Sequence, residues 1–302
     1  MVRQEDNCPL ASLVVLFYKH ERFVEDSVAG ALSQSYPNLE IIFSDDNSPD
    51  GTFEAVKKAV AGYKGPHRII LNRNTKNLGL VPHVNKLLFE MCHGEYIFLN
   101  GGDDISLPER VSDGVEYFRS NPSVTAVCGS HICIDGDGNE IGTSGFGQDS
   151  LLRADDKNYL RSTNFMTGGA ALSFRKEVLD RFGRLSDDCQ TEDSVLRFRA
   201  ILTGPTLRSS KLMLKYRTHG NNLSGNIRNF NTVRIAAQYK ADLEVAREWI
   251  SPELYRALGR KIGHYTAIRR LQEKEARSPR LFRPLFELGY KCLRAIYLLR
   301  FL

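Results

Sequence analysis

The stretch SLVVLFYKHERFVEDSVAGALSQSYPNLEIIFSDD (residues 12–46) carries the reading of the fold. Its opening, SLVVLFY (12–18), is a continuous apolar run of strand length. From Glu21 to about Gln34, Phe23, Val24, Val28 and Leu32 recur at helical spacing, and SYPN then stops the pattern. LEIIFSDD (39–46) is a second apolar run, ending in two carboxylates. Strand, helix and strand in this order, with both strands apolar throughout, predict a parallel βαβ crossover.

The alternation continues outward. Asp50 is placed to cap a helix through FEAVKKAVAGY, and Gly65-Pro66 ends it. HRIILNRN (67–74) reads as the third strand. LVPHVNKLLFEMC (80–92) is a helix with Pro near its start and Gly94 past its end, and EYIFLN (95–100) is the fourth strand. The class is therefore α/β, a mostly parallel sheet flanked by helices in the Rossmann-like manner. In such sheets ligands bind off the carboxyl ends of the strands. Two acidic turns sit there, SDDNSPDGT (44–52) and GGDD (101–104).

The middle is less regular. PERVSDGVEYFRS (108–120) predicts a helix, VTAVCGSHICIDGDGNEIGTS (124–144) two strands around a turn, and 145–165 a loop or lid. TEDSVLRFRAILTG (191–204) predicts a helix, and KLMLKYRTHG (211–220) a strand. From Asn226 the chain reads as helical. The division expected is a catalytic unit over 1–225 and a basic helical region over 226–302.

The chain has 302 residues and a net charge of +5, unevenly spread. From Arg256 to Leu302 there are 12 Lys/Arg against 3 Asp/Glu, so the tail carries +9 and the rest −4. That points to an anionic surface met by the tail only. The six cysteines form no CxxC pair, which predicts reduced thiols in a cytoplasmic protein. The first apolar run is expected to be a strand rather than a leader, and no run is long enough for a membrane-crossing helix. A dinucleotide oxidoreductase would need G-x-G-x-x-G after the first strand, where FYKHER stands. Aromatics interleaved with a basic patch are missing, so no nucleic-acid partner is expected. DGDGNE (135–140) begins like a calcium loop, but Glu140 stands where Gly is required, and it reads as a hairpin turn.

Four groups can carry chemistry. Asp45 and Asp46 end a strand where a carboxylate can accept from a base N–H or a ribose hydroxyl; the plainer reading is a turn. Asp103 and Asp104 are hard oxygen ligands suited to Mg²⁺ or Mn²⁺ bridged to phosphates, and Gly101 and Gly102 open their turn to a ligand. Glu192 and Asp193 lie in the first turn of a helix, favoured there by the macrodipole, or else supply a base for a hydroxyl. His219 ends a strand before Gly220, Asn221 and Asn222, an exposed polar loop.

Taken in order, these pieces resemble the family 2 glycosyltransferases of the GT-A fold. The resemblance runs over about residues 10–225. Its landmarks are the opening strand, SQSYPN (33–38), DDNSPDGT (45–52), NLG with Asn85 on the following helix, GEYI and GGDD. NFMTGGAALSFRKEVLDRFG (164–183), TEDSVLRFR and YRTHGNNLS follow. It implies sugar transfer from a nucleotide sugar, with UDP expected by analogy, and with inversion at the anomeric carbon. By the same resemblance Asp46 and Asp45 contact the nucleobase, and Asp103 and Asp104 take the ribose and a Mn²⁺ or Mg²⁺ ion. His219 approaches the metal, Asp193 is the base with Glu192 beside it, and Gly168 and Gly169 lie near donor sugar and acceptor. Two positions depart from the pattern. Gly101 replaces the first acid of Asp-x-Asp-Asp, which motivates the alternative of a non-catalytic nucleotide-sugar binder. Leu16-Phe17-Tyr18-Lys19 replaces Pro-x-Tyr-Asn, with Tyr18 kept as a nucleotide contact.

PLFELGYKCLRAIYLLRFL (284–302) is amphipathic as a helix, with Glu287, Lys291 and Arg294 on one side. It predicts a helix peripheral to the inner face of the cell membrane, consistent with a glycan or lipid-linked glycan acceptor in cell-surface polysaccharide assembly. The competing expectation is packing on the domain itself or on a second copy in a homo-oligomer.

Overall fold

The computed structural model describes residues 8–162, 165, 171–220, 232–277 and 283–299. The crossover over 12–46 is the centre of its sheet. β1 (Ala11–Phe17) and β2 (Leu39–Asp45) pair in parallel from Ala11↔Leu39 to Phe17↔Asp45, joined by α1 (Val24–Leu32). Val24, Val28 and Ala31 bury the inner face of α1. α2 (Thr52–Val60) returns the chain to β3 (Arg68–Arg73), parallel to β2. α3 (Leu80–Lys86) runs on into a π turn at Leu87–Met91 and leads to β4 (Tyr96–Gly101), parallel to β1 on its other side. Asp45 and Gly101 therefore flank the carboxyl end of β1, paired with Phe17 and Leu16 respectively.

Beyond β4 come β5 (Ile105–Ser106), α4 (Arg110–Ser120), β6 (Ala126–Ile134) and β7 (Glu140–Ser144). β8 (Ser150–Leu152), α5 (Lys157–Arg161), β9 (Ala171–Arg175), α6 (Glu177–Phe182), α7 (Asp193–Thr203) and β10 (Thr206–Arg217) follow. The sheet order is β3-β2-β1-β4-β9-β6-β10-β5, with β7 on β6 and β8 on β10. β9 runs antiparallel between β4 and β6, so the sheet is parallel on one side and mixed on the other.

Several elements differ from expectation. The stretch 145–165 holds β8 and α5, whose periods are too short to register. β10 begins at Thr206, five residues before the predicted start at 211. Its register shifts between Ser209, Leu212 and Leu214 break the period-two pattern that sequence reading depends on. Asp50 does not cap α2 from the N-cap position, which is Gly51. It accepts from Thr52 N at 3.2 Å and Thr52 Oγ1 at 2.6 Å from one residue further out.

α8 (Thr232–Ala246), α9 (Pro252–Arg277) and α10 (Arg283–Leu299) complete the described chain. α8 and α9 share one hydrophobic cluster with α7, through Val195, Phe198, Tyr239, Leu243, Leu258 and Ile262. Phe165 stacks on Tyr239 at 4.3 Å within it. α10 packs on α9 and α5: Tyr297 is buried, its ring lies 4.1 Å from that of His264, and its hydroxyl donates to Leu160 O. Among the described residues, no helix is long and apolar enough to cross a membrane.

One ion pair fixes α8 against the helix that carries the 192–193 acids. Arg199 donates from Nε and Nη2 to the two oxygens of Asp242, both at 2.9 Å, with both side chains buried. Removing one partner of a buried pair strands the other charge. Asp242→Ala is expected to lower unfolding free energy by ~3–5 kcal/mol, read from urea denaturation. Arg199→Met with Asp242→Leu is expected to recover most of that loss.

Candidate active site

The carboxyl end of β1 is locked to the turn after β2. Asp46 N donates to Phe17 O at 2.9 Å, Lys19 N to Ser48 Oγ at 2.9 Å, and His20 N to Thr52 Oγ1 at 3.0 Å. Lys19 and Asn47 both have positive φ, 60° and 57°, a conformation non-glycine residues take where surroundings impose it. Tyr18 stands exposed at this rim, with Lys19 Nζ 5.2 Å from its ring centroid. Asp45 is buried, holds the turn through Ser48 N at 2.9 Å, and faces Arg73 Nε at 3.5 Å. Asp46 is buried too, and accepts from Asn74 Nδ2 at 2.7 Å and from Leu78 N and Gly79 N at 2.9 Å. Its carboxylate thus orders the 74–79 segment leading into α3.

The second acidic turn lies across β1. Asp104 is buried and accepts from Arg217 N at 2.9 Å. Burial first, and then the charge of Asp103, push its carboxyl well above the ordinary carboxylate range. Asp103 Oδ2 and His219 Nε2 are 3.0 Å apart. Arg217 donates from Nε to Asp103 O at 2.9 Å and from Nη2 to Asp26 at 2.8 Å, and stacks 4.9 Å over Phe23. A Cβ on Gly101 would stand 2.6 Å from Asp103 Oδ1 and 3.4 Å from Asp104 Oδ2, so both carboxylates converge over that glycine. Gly102 has a different reason from the ligand approach expected of it. A Cβ there would meet Phe17, His20 and Leu16 O at 2.3 to 2.7 Å, so the glycine serves close packing on β1.

This acidic pair fits a divalent cation, which commonly takes one or two carboxylates and completes its shell with water and phosphate. Among the described residues, no group of three or more His, Cys, Asp or Glu side chains is arranged to hold a metal. His219, the third expected ligand, stands with Nε2 at 3.0 Å from Asp103 Oδ2.

Glu192 and Asp193 open α7 as predicted. Asp193 Oδ1 accepts from Thr191 Oγ1 at 2.7 Å and from Ser194 N at 2.5 Å, which orients the carboxylate. Glu192 is half-buried as a residue, yet its carboxyl is desolvated. That desolvation, then the neighbouring Asp193 charge, push it up to about 7. Gly168 and Gly169 lie outside the described residues.

The structure therefore gathers Asp45, Asp46, Asp103, Asp104 and His219 around the end of β1. His20 sits among them; burial lowers its pKa, while Asp103, His219, Asp50 and Asp45 all act on it. The 192–193 acids form a separate group, tied to the first by Asn85 on α3. Its amide donates to Leu185 O at 2.8 Å and to Asp187 at 3.3 Å, and accepts from Leu185 N at 2.9 Å. Sequence reading missed His20 and Arg217. Arg217 lies two residues before His219, but its partner Asp26 is 191 positions away and gives no local signal.

The model of the glycosyl transferase family 2 matches residues 12–183. The chain belongs to that family. An uncharacterized glycosyltransferase of Haemophilus influenzae is 26% identical over 231 residues, 72% of this chain and 68% of that one. An Escherichia coli UDP-Glc:alpha-D-GlcNAc-diphosphoundecaprenol beta-1,3-glucosyltransferase, WfaP, is 29% identical over 111 residues, 37% of this chain and 42% of its own. In fold, this family 2 glycosyltransferase resembles the Pyrobaculum calidifontis mannosyltransferase PcManGT, solved with GDP-Man and Mn²⁺. The TM-score is 0.61 at 18% identity, covering 97% and 84% of the two chains. Staphylococcus aureus TarS 1–349 with UDP-GlcNAc gives 0.60 at 14% identity, covering 95% and 91%. These are GT-A glycosyltransferases, and the sheet described above is that fold.

The raised Glu192 carboxyl makes stability depend on pH. Between its ordinary value of 4.5 and about 7, the folded chain keeps a proton that the unfolded chain has released. Stability therefore falls as pH climbs through that window. Glu192→Gln is expected to flatten the fall in melting temperature between about pH 5 and about pH 8, followed by differential scanning fluorimetry. An unchanged pH profile in this variant would reject the raised carboxyl.

Proposed function

We propose that this glycosyltransferase transfers a sugar from a nucleotide diphosphate sugar, UDP-linked by preference, to a hydroxyl of a cell-surface glycan or lipid-linked glycan, with inversion. The observation that carries the reading is the convergence of two acidic strand ends at β1, beside a separate oriented carboxylate at the start of α7. The catalytic unit proposed is residues 1–225, with 226–302 as a region that meets the inner membrane surface. The nucleotide lies against Tyr18, Asp45, Asp46 and Asp103, on the rim fixed by the strained Lys19 and Asn47. Mn²⁺ or Mg²⁺, held by Asp103 and Asp104, would supply charge neutralisation at the leaving diphosphate. Gly168 and Gly169 line the donor sugar and acceptor in this scheme.

Direct displacement needs one base on the face of the sugar opposite the leaving group. Asp193 takes that role, because the Thr191 hydroxyl and Ser194 N–H fix its orientation. The acceptor hydroxyl loses its proton to Asp193 as its oxygen bonds to the anomeric carbon and the bond to the diphosphate breaks. Glu192 supports it by keeping a second desolvated carboxyl alongside. That arrangement favours a working transferase over a binder that has lost catalysis.

Asp193→Asn is expected to lower transfer by ~10²–10⁴-fold, the usual contribution of a general base. The thermal shift with UDP-sugar and Mn²⁺ should be unchanged. Undiminished turnover in this variant would reject Asp193 as base, and no shift with any nucleotide or nucleotide sugar would reject the donor site.

A further inference from the structure

Two features meet at α10. Its outward face is apolar: Leu285 and Leu288 are 65% and 59% exposed, and Cys292 and Ala295 continue the exposed line. At 3.6 residues per turn these positions fall within about 80° of one another. Lys291 comes next around the helix, then Glu287 and Arg294, all three exposed. Behind them, where α10 meets α9 and α5, lies a groove of about 660 Å³. Asn158, Arg161, Gln272, Tyr290, Lys291 and Arg294 line it, and no Asp or Glu among the described residues does.

We infer that this groove binds the diphosphate of a lipid-anchored glycan acceptor while the apolar stripe of α10 sits in the membrane surface. The inference rests on the transferase reading above and names its acceptor class. Charge complementarity selects the ligand. Arg161, Lys291 and Arg294 place three positive charges around one concavity, against the Glu275 carboxylate that accepts from the lining Tyr290 hydroxyl at 2.6 Å, and guanidinium groups match phosphate oxygens in paired hydrogen bonds. The stripe selects the anchor. A helix lying on a bilayer by Leu285 and Leu288 holds Lys291, about 40° beyond the stripe, at headgroup depth, where a lipid diphosphate sits, and Arg294 reaches it from further round the helix. A free sugar phosphate would need the groove but not the stripe, and a bulk anionic surface would need the stripe but not the groove.

Ser162 forms part of the groove's wall and leads in sequence to the 163–170 segment that carries Gly168 and Gly169. The backbone just before that segment is held from α9 and α10. Lys261 Nζ, fully buried, donates to Tyr159 O at 2.7 Å and to Ser162 O, while Tyr297 holds Leu160 O. A lipid diphosphate in the groove therefore rests on α5, which precedes in sequence the glycines proposed to meet the acceptor.

The test uses the full chain and three nanodiscs: phosphatidylcholine, phosphatidylcholine with a polyprenyl diphosphate, and phosphatidylglycerol alone. Adding the polyprenyl diphosphate to neutral discs is expected to tighten binding by roughly tenfold or more. Lys291→Glu with Arg294→Glu is expected to abolish that gain while keeping the nucleotide-sugar thermal shift, which reports a folded variant and an intact donor site. A gain kept by the double variant would overturn the inference. So would equally tight binding of the wild type to phosphatidylglycerol discs, which would leave only a general membrane surface. Nucleotide response in the wild type separates this outcome from failure of the donor reading.

Discussion

The donor side of this protein depends on a buried guanidinium. Arg217 ends β10, and its backbone and side chain together reach Asp104, the Asp103 carbonyl and Asp26 on α1. Burial and the Asp103 charge keep the Asp104 carboxyl well above the usual carboxylate range, and the nearby Arg110 and Arg217 charges act against that shift. The bonds from Arg217 to the Asp103 carbonyl and to Asp104 brace the turn at the end of β4. The same contacts join the mixed half of the sheet to the parallel half. They add to the β1–β4 pairing, which sets Gly101 beside Leu16 and so fixes the turn relative to Asp45 and Asp46.

From that turn the order spreads through polar side chains rather than through the core. Asp46 uses its carboxylate on the backbone of Leu78 and Gly79, which sets the start of α3. One helical turn further on, Asn85 satisfies both backbone groups of Leu185 and so sets the approach to Glu192 and Asp193. A buried amide that meets one donor and one acceptor of the same residue leaves that segment little freedom. The acidic groups at the end of β1 and the 192–193 acids are therefore mechanically related through α3, although they are about a hundred residues apart in sequence.

The C-terminal helices extend this logic to the other face of the site. α8 and α9 contribute to the same hydrophobic cluster as α7. Lys261 is fully buried. Its ammonium lies over the rings of Tyr159 and Phe165 and bonds backbone carbonyls, and burial lowers its pKa to about 7. Such a costly placement persists where it positions chain that must not move. Here that chain is the end of α5, next to the segment expected to meet the acceptor.

Local pattern alone determined the first half of this molecule. Continuous apolar strands, a helical period between them and acidic turns at strand ends are all encoded within some ten residues of each other, so β1 to β4 and the two acidic motifs were legible. β9 and the early start of β10 were not, because a five-residue strand and a bulged one carry too little period to read. The roles of particular side chains were decided only by tertiary contact. Gly102 looked like an opening for a ligand, and its neighbours proved to be Phe17 and His20. His219 reads as a candidate ligand from its sequence, and only the fold brings it within 3.0 Å of Asp103. Arg217 carried no signal at all. Residue type states what a side chain can do, but burial and partners hundreds of bonds away along the chain settle what it does, and only folding brings those partners within range.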